Sequence, residues 1–261
     1  MSFVVVKLGG EALVDKGALS YFITSLLSSC SEHKIILVHG GGSYVDEALE
    51  HLGETTHKID GERQTPTHHV PWVVGALAGY ANQSFVSVLK AAGFNGVGLS
   101  LSDCGGVPLI QSITAGSVAA PDWENVDKAE ALKSTLSYFC GKNVIPVVSP
   151  IGLLDSGVLV NVNADLAAAA LAILLQAQLV LLSNVEGVLD ADKNIITTIP
   201  ASECLQLQQS NFVSDGMRIK LLAAQNATIR TRRSTAITSW SSAENVIAVL
   251  NGASIGTQVV V

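Results

Sequence analysis

Lys7 ends the apolar run VVVK and is followed at once by Leu8, Gly9 and Gly10. Burying an ammonium group without a partner is costly, so a lysine placed there must face an anion, either a protein carboxylate or a ligand phosphate. A second glycine cluster, His39-Gly40-Gly41-Gly42, closes the apolar run KIILV. Glycines at strand ends let backbone N–H groups approach phosphate oxygens, and the helix that follows favours negative charge at its N-terminus. Neither cluster is the P-loop or the G-x-G-x-x-G dinucleotide fingerprint, and each alone reads equally well as a tight turn. Asn161, Asn163 and Asp165 alternate in NVNAD just before an alanine-rich stretch, where Asp165 is also a candidate helix cap. In SDGMRIK, Asp215 and Gly216 open a helix and Lys220 follows one turn in.

The elements that must position these residues alternate along the chain. Short apolar runs at 3–7, 34–38, 96–101, 143–149, 178–183 and 235–240, and a last one at TQVVV, predict strands. Helical periodicity predicts helices at 17–31, after the triple glycine, at 67–92, 127–140, 164–176, 201–209, 216–229 and 243–250. Hairpins are expected at Asp60-Gly61, across 106–120, and around Asp155-Ser156-Gly157. Strands interleaved with helices imply parallel pairing with right-handed crossovers, hence an α/β fold with three layers around a mainly parallel open sheet. Two lobes sharing that sheet are expected to join near residue 150. In open parallel sheets ligands bind beyond the carboxyl ends of the strands, where both glycine clusters lie.

Composition removes other classes. The chain has 261 residues, a net charge of −7, 48% hydrophobic and 14% charged residues. The only basic cluster is Arg230, Arg232 and Arg233, read as a solvated helix end, so no nucleic-acid partner is expected. Cys30, Cys104, Cys140 and Cys204 form no C-x-x-C pair and read as reduced thiols of a cytoplasmic protein. The apolar stretch Leu166–Leu182 is broken by Gln176 and Gln178 and is short for a membrane span, so no membrane partner is expected. His39 reads as a hydrogen-bonded structural residue, His68 and His69 sit at a helix start, and no spacing suggests a zinc site.

Taken in order over nearly the whole chain, VVVKLGG, ILVHGGG, DGERQTP, GALAGYAN, VVSPIG, VNVNAD, LLSNVEGVLD, SDGMRIK and ASIGTQVV resemble the amino acid kinase family. DGERQTP followed by GALAG, together with NVNAD, points to its acetylglutamate branch. The resemblance implies phosphoryl transfer from MgATP to the side-chain carboxylate of N-acetyl-L-glutamate, a step of arginine biosynthesis. A carboxylate is already a nucleophile, so no general base is needed. Catalysis then consists of positioning and charge neutralisation.

Carried over by position, the resemblance implies that Lys7 and Lys220 flank the transferring phosphoryl group, with Asp165 between them to orient both. Gly9 and Gly10 would offer backbone donors to phosphate, and Gly41 and Gly42 to substrate. Arg63 would hold the substrate α-carboxylate through its planar fork, with Asn161 beside it and Asn163 nearby. The nucleotide would lie on Asn184, Val185, Glu186, Gly187, Val188, Leu189 and on Phe212, Val213, Ser214. Magnesium would be held chiefly by nucleotide phosphates and water rather than by protein ligands. Residues 1–150 would form the substrate-binding and dimerising lobe, residues 151–261 the ATP-binding lobe. The chain departs from relatives at Asn184, where aspartate is usual, at Ser102, where glycine is common, and at Arg230–Arg233, which replaces a glycine-rich turn.

Two rival readings follow. A kinase for another amino-acid carboxylate (protein-borne aminoadipate, glutamate or aspartate) stays within the family, and Arg63 with Asn161 argues for a blocked α-amino acid. A non-catalytic nucleotide- or amino-acid-binding regulator is opposed by the joint presence of Lys7, Asp165 and Lys220. The resemblance also sets an expectation about assembly. Arginine-inhibited members carry an N-terminal helix that builds hexamers, whereas only Met1 and Ser2 precede Phe3 here. A homodimer insensitive to arginine is therefore expected, joined on the 67–92 helix through Val70, Val73, Val74 and Leu77.

Overall fold

Along the strand Phe3–Leu8, side chains alternate between two buried layers. Val4, Val6 and Leu8 join one apolar cluster with Phe22, Ile23, Leu26 and Phe85. Val5 joins the other, with Leu166, Ala168, Leu221 and Ala224. Lys7 shares the parity of Val5, so its side chain enters the layer built by the helices Ala164–Leu175 and Asp215–Thr231. That single consequence of strand geometry decides what Lys7 meets.

The computed structural model describes residues 2–59 and 62–261. Its main sheet has eight strands, in the order Thr198–Pro200, Thr257–Val260, Thr235–Ser239, Gln178–Ser183, Phe3–Leu8, Lys34–His39, Ile145–Ser149, Gly96–Ser100. Pairing is parallel from Thr235–Ser239 through Gly96–Ser100. Helices Lys16–Ser29, Asn82–Ala91 and Ala243–Leu250 cover one face. Ala164–Leu175, Asp215–Thr231 and Glu130–Gly141 cover the other. This is the three-layer α/β arrangement that the alternation of elements implies.

The last strand differs from the expectation of parallel pairing. Thr257–Val260 runs antiparallel to Thr235–Ser239. It enters the sheet opposite Ile237, where Gly256, at φ 69°, lies so near the strand that a Cβ would stand 2.4 Å from the Ile237 carbonyl oxygen. Only glycine allows that approach.

The two expected hairpins join into a second, four-stranded sheet in the order Leu109–Gln111, Val118–Pro121, Leu159–Val162, Ile151–Leu153. Val118–Pro121 and Leu159–Val162 pair in parallel at its centre, which delivers Asn161 and Asn163 to the same side as the triple glycine. Lys58–Ile59 pairs antiparallel with Glu62–Arg63, while the Asp60-Gly61 turn itself lies outside the described residues.

The segment expected as one helix over 67–92 is continuous but not uniform. A 3-10 turn at Thr67–His69 leads into α-helix Val70–Val74, a π-helical stretch Gly75–Ala81, and α-helix Asn82–Ala91. The face expected for dimerisation needs correcting. Val73 and Leu77 are buried against Val45, Leu49 and Ile151, because the apolar stripe closes the protein's own core. Trp72 and Tyr80 are the large apolar side chains this segment exposes. No helix among the described residues is long and apolar enough to cross a membrane.

Candidate active site

Helix Ala164–Leu175 starts directly after strand Leu159–Val162, with Asn163 as its cap accepting from the Asp165 amide at 2.8 Å. The capping role open to Asp165 thus falls to Asn163. Asp165 stands in the first helical turn, where the partial positive charge of the exposed N–H groups favours a carboxylate. Alanines on this helix and Ala223, Ala224 and Ala227 on Asp215–Thr231 allow close packing of the pair. Lys220 lies on the same buried stripe as those three alanines, at helical spacing.

These elements bring Lys7, Asp165 and Lys220 into contact. Lys7 Nζ is 3.0 Å and Lys220 Nζ 2.8 Å from the same carboxylate oxygen, Oδ1 of Asp165. Lys220 also donates to the Leu182 carbonyl at 3.5 Å. All three are buried, with relative exposures of 6, 6 and 8% for Lys7, Asp165 and Lys220. Burial, helped by the nearby Lys220 charge and opposed by the attraction of Asp165, lowers the Lys7 pKa to about 8. Burial alone would raise the Asp165 pKa, but Lys220 and Lys7 outweigh it and hold the carboxyl below its ordinary value. Two ammonium groups against one carboxylate leave one formal positive charge in a buried place, an arrangement suited to an incoming anion.

The two glycine turns press on each other beside this triad. A Cβ at Gly10 would lie 2.8 Å from the Gly41 backbone nitrogen, and one at Gly40 3.0 Å from the Gly10 nitrogen. At Gly9 a Cβ would meet nothing within 4 Å. The backbone amides of one turn are exposed to approach only because neither turn carries side chains there.

Gly41, Gly42, Arg63, Asn161 and Asn163 line a single cleft of about 190 Å³, closed on its apolar side by Val45, Leu77, Val118 and Val162. The structure therefore brings the five substrate candidates together. Arg63 is buried, with Nη1 2.6 Å from Asp46 Oδ1 and Nη2 donating to the Gly42 carbonyl at 3.1 Å. Thr56 donates its hydroxyl to the same Asp46 oxygen at 2.8 Å. Asp46 and Thr56 were not among the sequence candidates. Asp46 lies four residues beyond Gly42 on helix Gly42–Glu50, a spacing that places it on the face above the triple-glycine turn.

Of the nucleotide candidates, Val185, Gly187, Val188, Leu189, Phe212, Val213 and Ser214 line a second cleft of about 220 Å³, joined by Met217. Asn184 and Glu186 are not part of its lining, and Gly9 and Gly10 lie at the glycine turns. Asn184 instead donates to the Glu11 carboxylate and accepts from the Trp240 indole at 3.1 Å. It thus ties the first glycine turn to the end of strand Thr235–Ser239.

His39 is fully buried and takes a structural part, as its neighbours imply. Its Nδ1 donates to the Gly40 carbonyl at 2.7 Å, and its Nε2 accepts from Asn82 at 3.0 Å. Burial lowers its pKa to about 4, so the ring is neutral at pH 7. Asn82, also missed from sequence, donates further to the Val147 carbonyl at 2.9 Å, holding two strands and the second turn in one network.

Comparison with known proteins places this geometry. The profile of the amino acid kinase family matches residues 2–239. An acetylglutamate kinase of Colwellia psychrerythraea is 38% identical over 257 residues, covering 98% of this chain and 96% of the relative. One from Vibrio vulnificus is 39% identical over 258 residues, covering 98% and 95%. Among solved structures, the N-acetylglutamate synthase of Neisseria gonorrhoeae complexed with coenzyme A and N-acetyl-glutamate shares the fold at a TM-score of 0.81 and 20% identity, over all of this chain and 59% of that one. With the profile and the relatives both running almost end to end, the chain belongs to the amino acid kinase family.

Proposed function

We propose that the protein is an ATP-dependent acetylglutamate kinase, phosphorylating the side-chain carboxylate of N-acetyl-L-glutamate to give N-acetyl-L-glutamyl 5-phosphate in arginine biosynthesis. The observation that carries this reading is the single Asp165 oxygen shared by Lys7 and Lys220, buried beside two touching glycine turns. The names of relatives at 38–39% identity supply the substrate.

The residues present fit a nucleotide with magnesium. The buried cation excess suits phosphate charge, and the side-chain-free turns leave backbone amides open to it. Lys7 and Lys220 would neutralise the phosphoryl group from two sides, with Gly9 and Gly10 as backbone donors. The cleft from Val185 to Leu189 and Phe212 to Ser214 would hold the rest of the nucleotide. MgATP supplies the phosphoryl group, its metal held chiefly by phosphates and water. Arg63, fixed by Asp46 and the Gly42 carbonyl, would take the α-carboxylate, with Asn161 beside it. Residues 1–150 would supply most of the amino-acid site and the dimer face, with Asn161 and Asn163 joining that site from the second lobe, and residues 151–261 would hold most of the nucleotide.

The test is a coupled ADP-release or hydroxamate assay across N-acetylglutamate, glutamate, aspartate and aminoadipate. Preference for N-acetylglutamate supports the reading. Preference for an unblocked amino acid assigns another carboxylate kinase, and no turnover with any of them supports a binding protein. The oligomer is proposed as a homodimer, paired on the face presenting Trp72 and Tyr80, and Trp72→Glu should yield monomers in light scattering.

A further inference from the structure

Away from the triad, Glu54, His68 and His69 offer one ligand atom each, all within 4.8 Å of one another. The residues come from two elements. Glu54 follows helix Gly42–Glu50, and the two histidines fall in and at the end of the turn Thr67–His69. Glu54 Oε2 is 3.2 Å from His69 Nε2, and Oε1 is 3.8 Å from His68 Nε2. A tetrahedral zinc ion with bonds of about 2.0–2.1 Å holds neighbouring donors about 3.3 Å apart, so small side-chain rotations bring this set to ligating geometry.

The donor set is specific in kind. Two imidazoles and one carboxylate suit borderline divalent ions such as Zn²⁺ and Co²⁺, and three protein ligands leave a position for water. Mg²⁺, which requires an oxygen octahedron, is a poor match. His69 is buried and fixes one ligand, whereas His68 and Glu54 are exposed and leave an entry path for the ion. The two rings also meet edge to face at 4.4 Å, so both nitrogens are presented from one turn.

We propose that Glu54, His68 and His69 form a binding site for a divalent transition-metal ion of the zinc class. An ion held there cross-links the two ends of the segment 55–67, which includes Arg63. It thereby braces the cleft wall from outside without touching the phosphoryl path. The ligation itself does not depend on the proposed reaction.

The experiment uses the full-length, untagged chain dialysed free of metal, with Co²⁺ as the spectroscopic probe and Zn²⁺ as competitor. One Co²⁺ per chain is expected, with visible d–d absorption, displaced by micromolar Zn²⁺ but not by millimolar Mg²⁺. Zn²⁺ should raise the melting temperature, since it binds the native state. Glu54→Gln and His68→Ala, both at exposed positions, should each weaken binding at least tenfold and remove most of the thermal shift. Binding that neither substitution alters would overturn the assignment. Absence of binding below millimolar metal would reduce the cluster to an ordinary ion pair.

Discussion

Oδ1 of Asp46 lies 2.6 Å from Nη1 of Arg63, so the cation assigned to the substrate carboxylate already has a protein carboxylate to orient it. Asp46 is itself anchored by Thr56, and the other arm of the fork rests on the Gly42 carbonyl. Asp46→Asn keeps the shape but removes the ion pair to Arg63, worth about 1 kcal/mol where one partner is solvent-exposed. KM for the acetylated amino acid should rise roughly threefold to fivefold, with kcat less affected and KM for ATP unchanged. A lower KM would show that Asp46 competes with substrate rather than positioning its receptor.

Arg63→Lys removes the fork but keeps the charge. Steady-state kinetics should show a raised KM for the acetylated amino acid and little change for ATP. If ATP affinity falls instead, Arg63 belongs to the nucleotide.

Lys7→Ala and Lys220→Ala should each reduce turnover by roughly two to four orders of magnitude, the range for lost donors to developing charge. Each variant still leaves Asp165 one ammonium partner, so melting temperatures should remain near that of the parent. Near-normal kcat in both variants is the outcome that ends the proposed chemistry.

The Lys7 pKa of about 8 gives a pH signature. kcat/KM should decline on the alkaline side as Lys7 loses its charge, with an apparent midpoint about 8. Stability behaves oppositely. Between about 8 and the ordinary 10.5 the unfolded chain binds this proton more tightly than the native one, so the group's contribution to stability increases as pH rises through that window. Asp165→Asn withdraws the charge that supports both ammonium groups, so its alkaline limb should move to lower pH. An unmoved limb in that variant would assign the titration to another group.

Gly9 and Gly10 should differ although they are adjacent. Alanine at Gly9 meets nothing within 4 Å, whereas at Gly10 it would stand 2.8 Å from backbone that cannot step aside. Gly10→Ala should lower stability by about 1–3 kcal/mol, the scale for overpacking, and Gly9→Ala by much less. Paired thermal melts decide it.

Much of the candidate site was legible in the sequence because its residues fall in the motifs that carry the family resemblance. The family resemblance is what picks out Lys7 and Lys220 in the sequence, while strand parity and helix spacing explain how the folded elements bring the two together. Asp46 was not legible, because on helix Gly42–Glu50 it sits among Glu47 and Glu50 and resembles solvent-facing charge until the Arg63 hairpin folds over it. Val73 and Leu77 were assigned to a partner because periodicity shows that a face is apolar, not what covers it. Asn184 was marked as unusual, but its partners, Glu11 and Trp240, lie 173 and 56 residues away in sequence. The antiparallel final strand turns on one close backbone approach at Gly256, which no local pattern encodes.

The π-helical stretch Gly75–Ala81 sets the phase of everything after it. A π turn takes in one residue more than an α turn, and each residue of an α-helix advances about 100° around the axis. Wound as α throughout, the same seven residues would turn the helix beyond them further by about that angle and swing Asn82 away from His39 and the Val147 carbonyl. The buried imidazole, neutral and held to the Gly40 carbonyl, would then lose its only side-chain donor among the described residues. Helix winding and residue count are therefore matched in this segment. A homologous chain one residue shorter in 75–81 would wind this segment as α and still present its asparagine to the histidine, whereas an α winding of the full count would not.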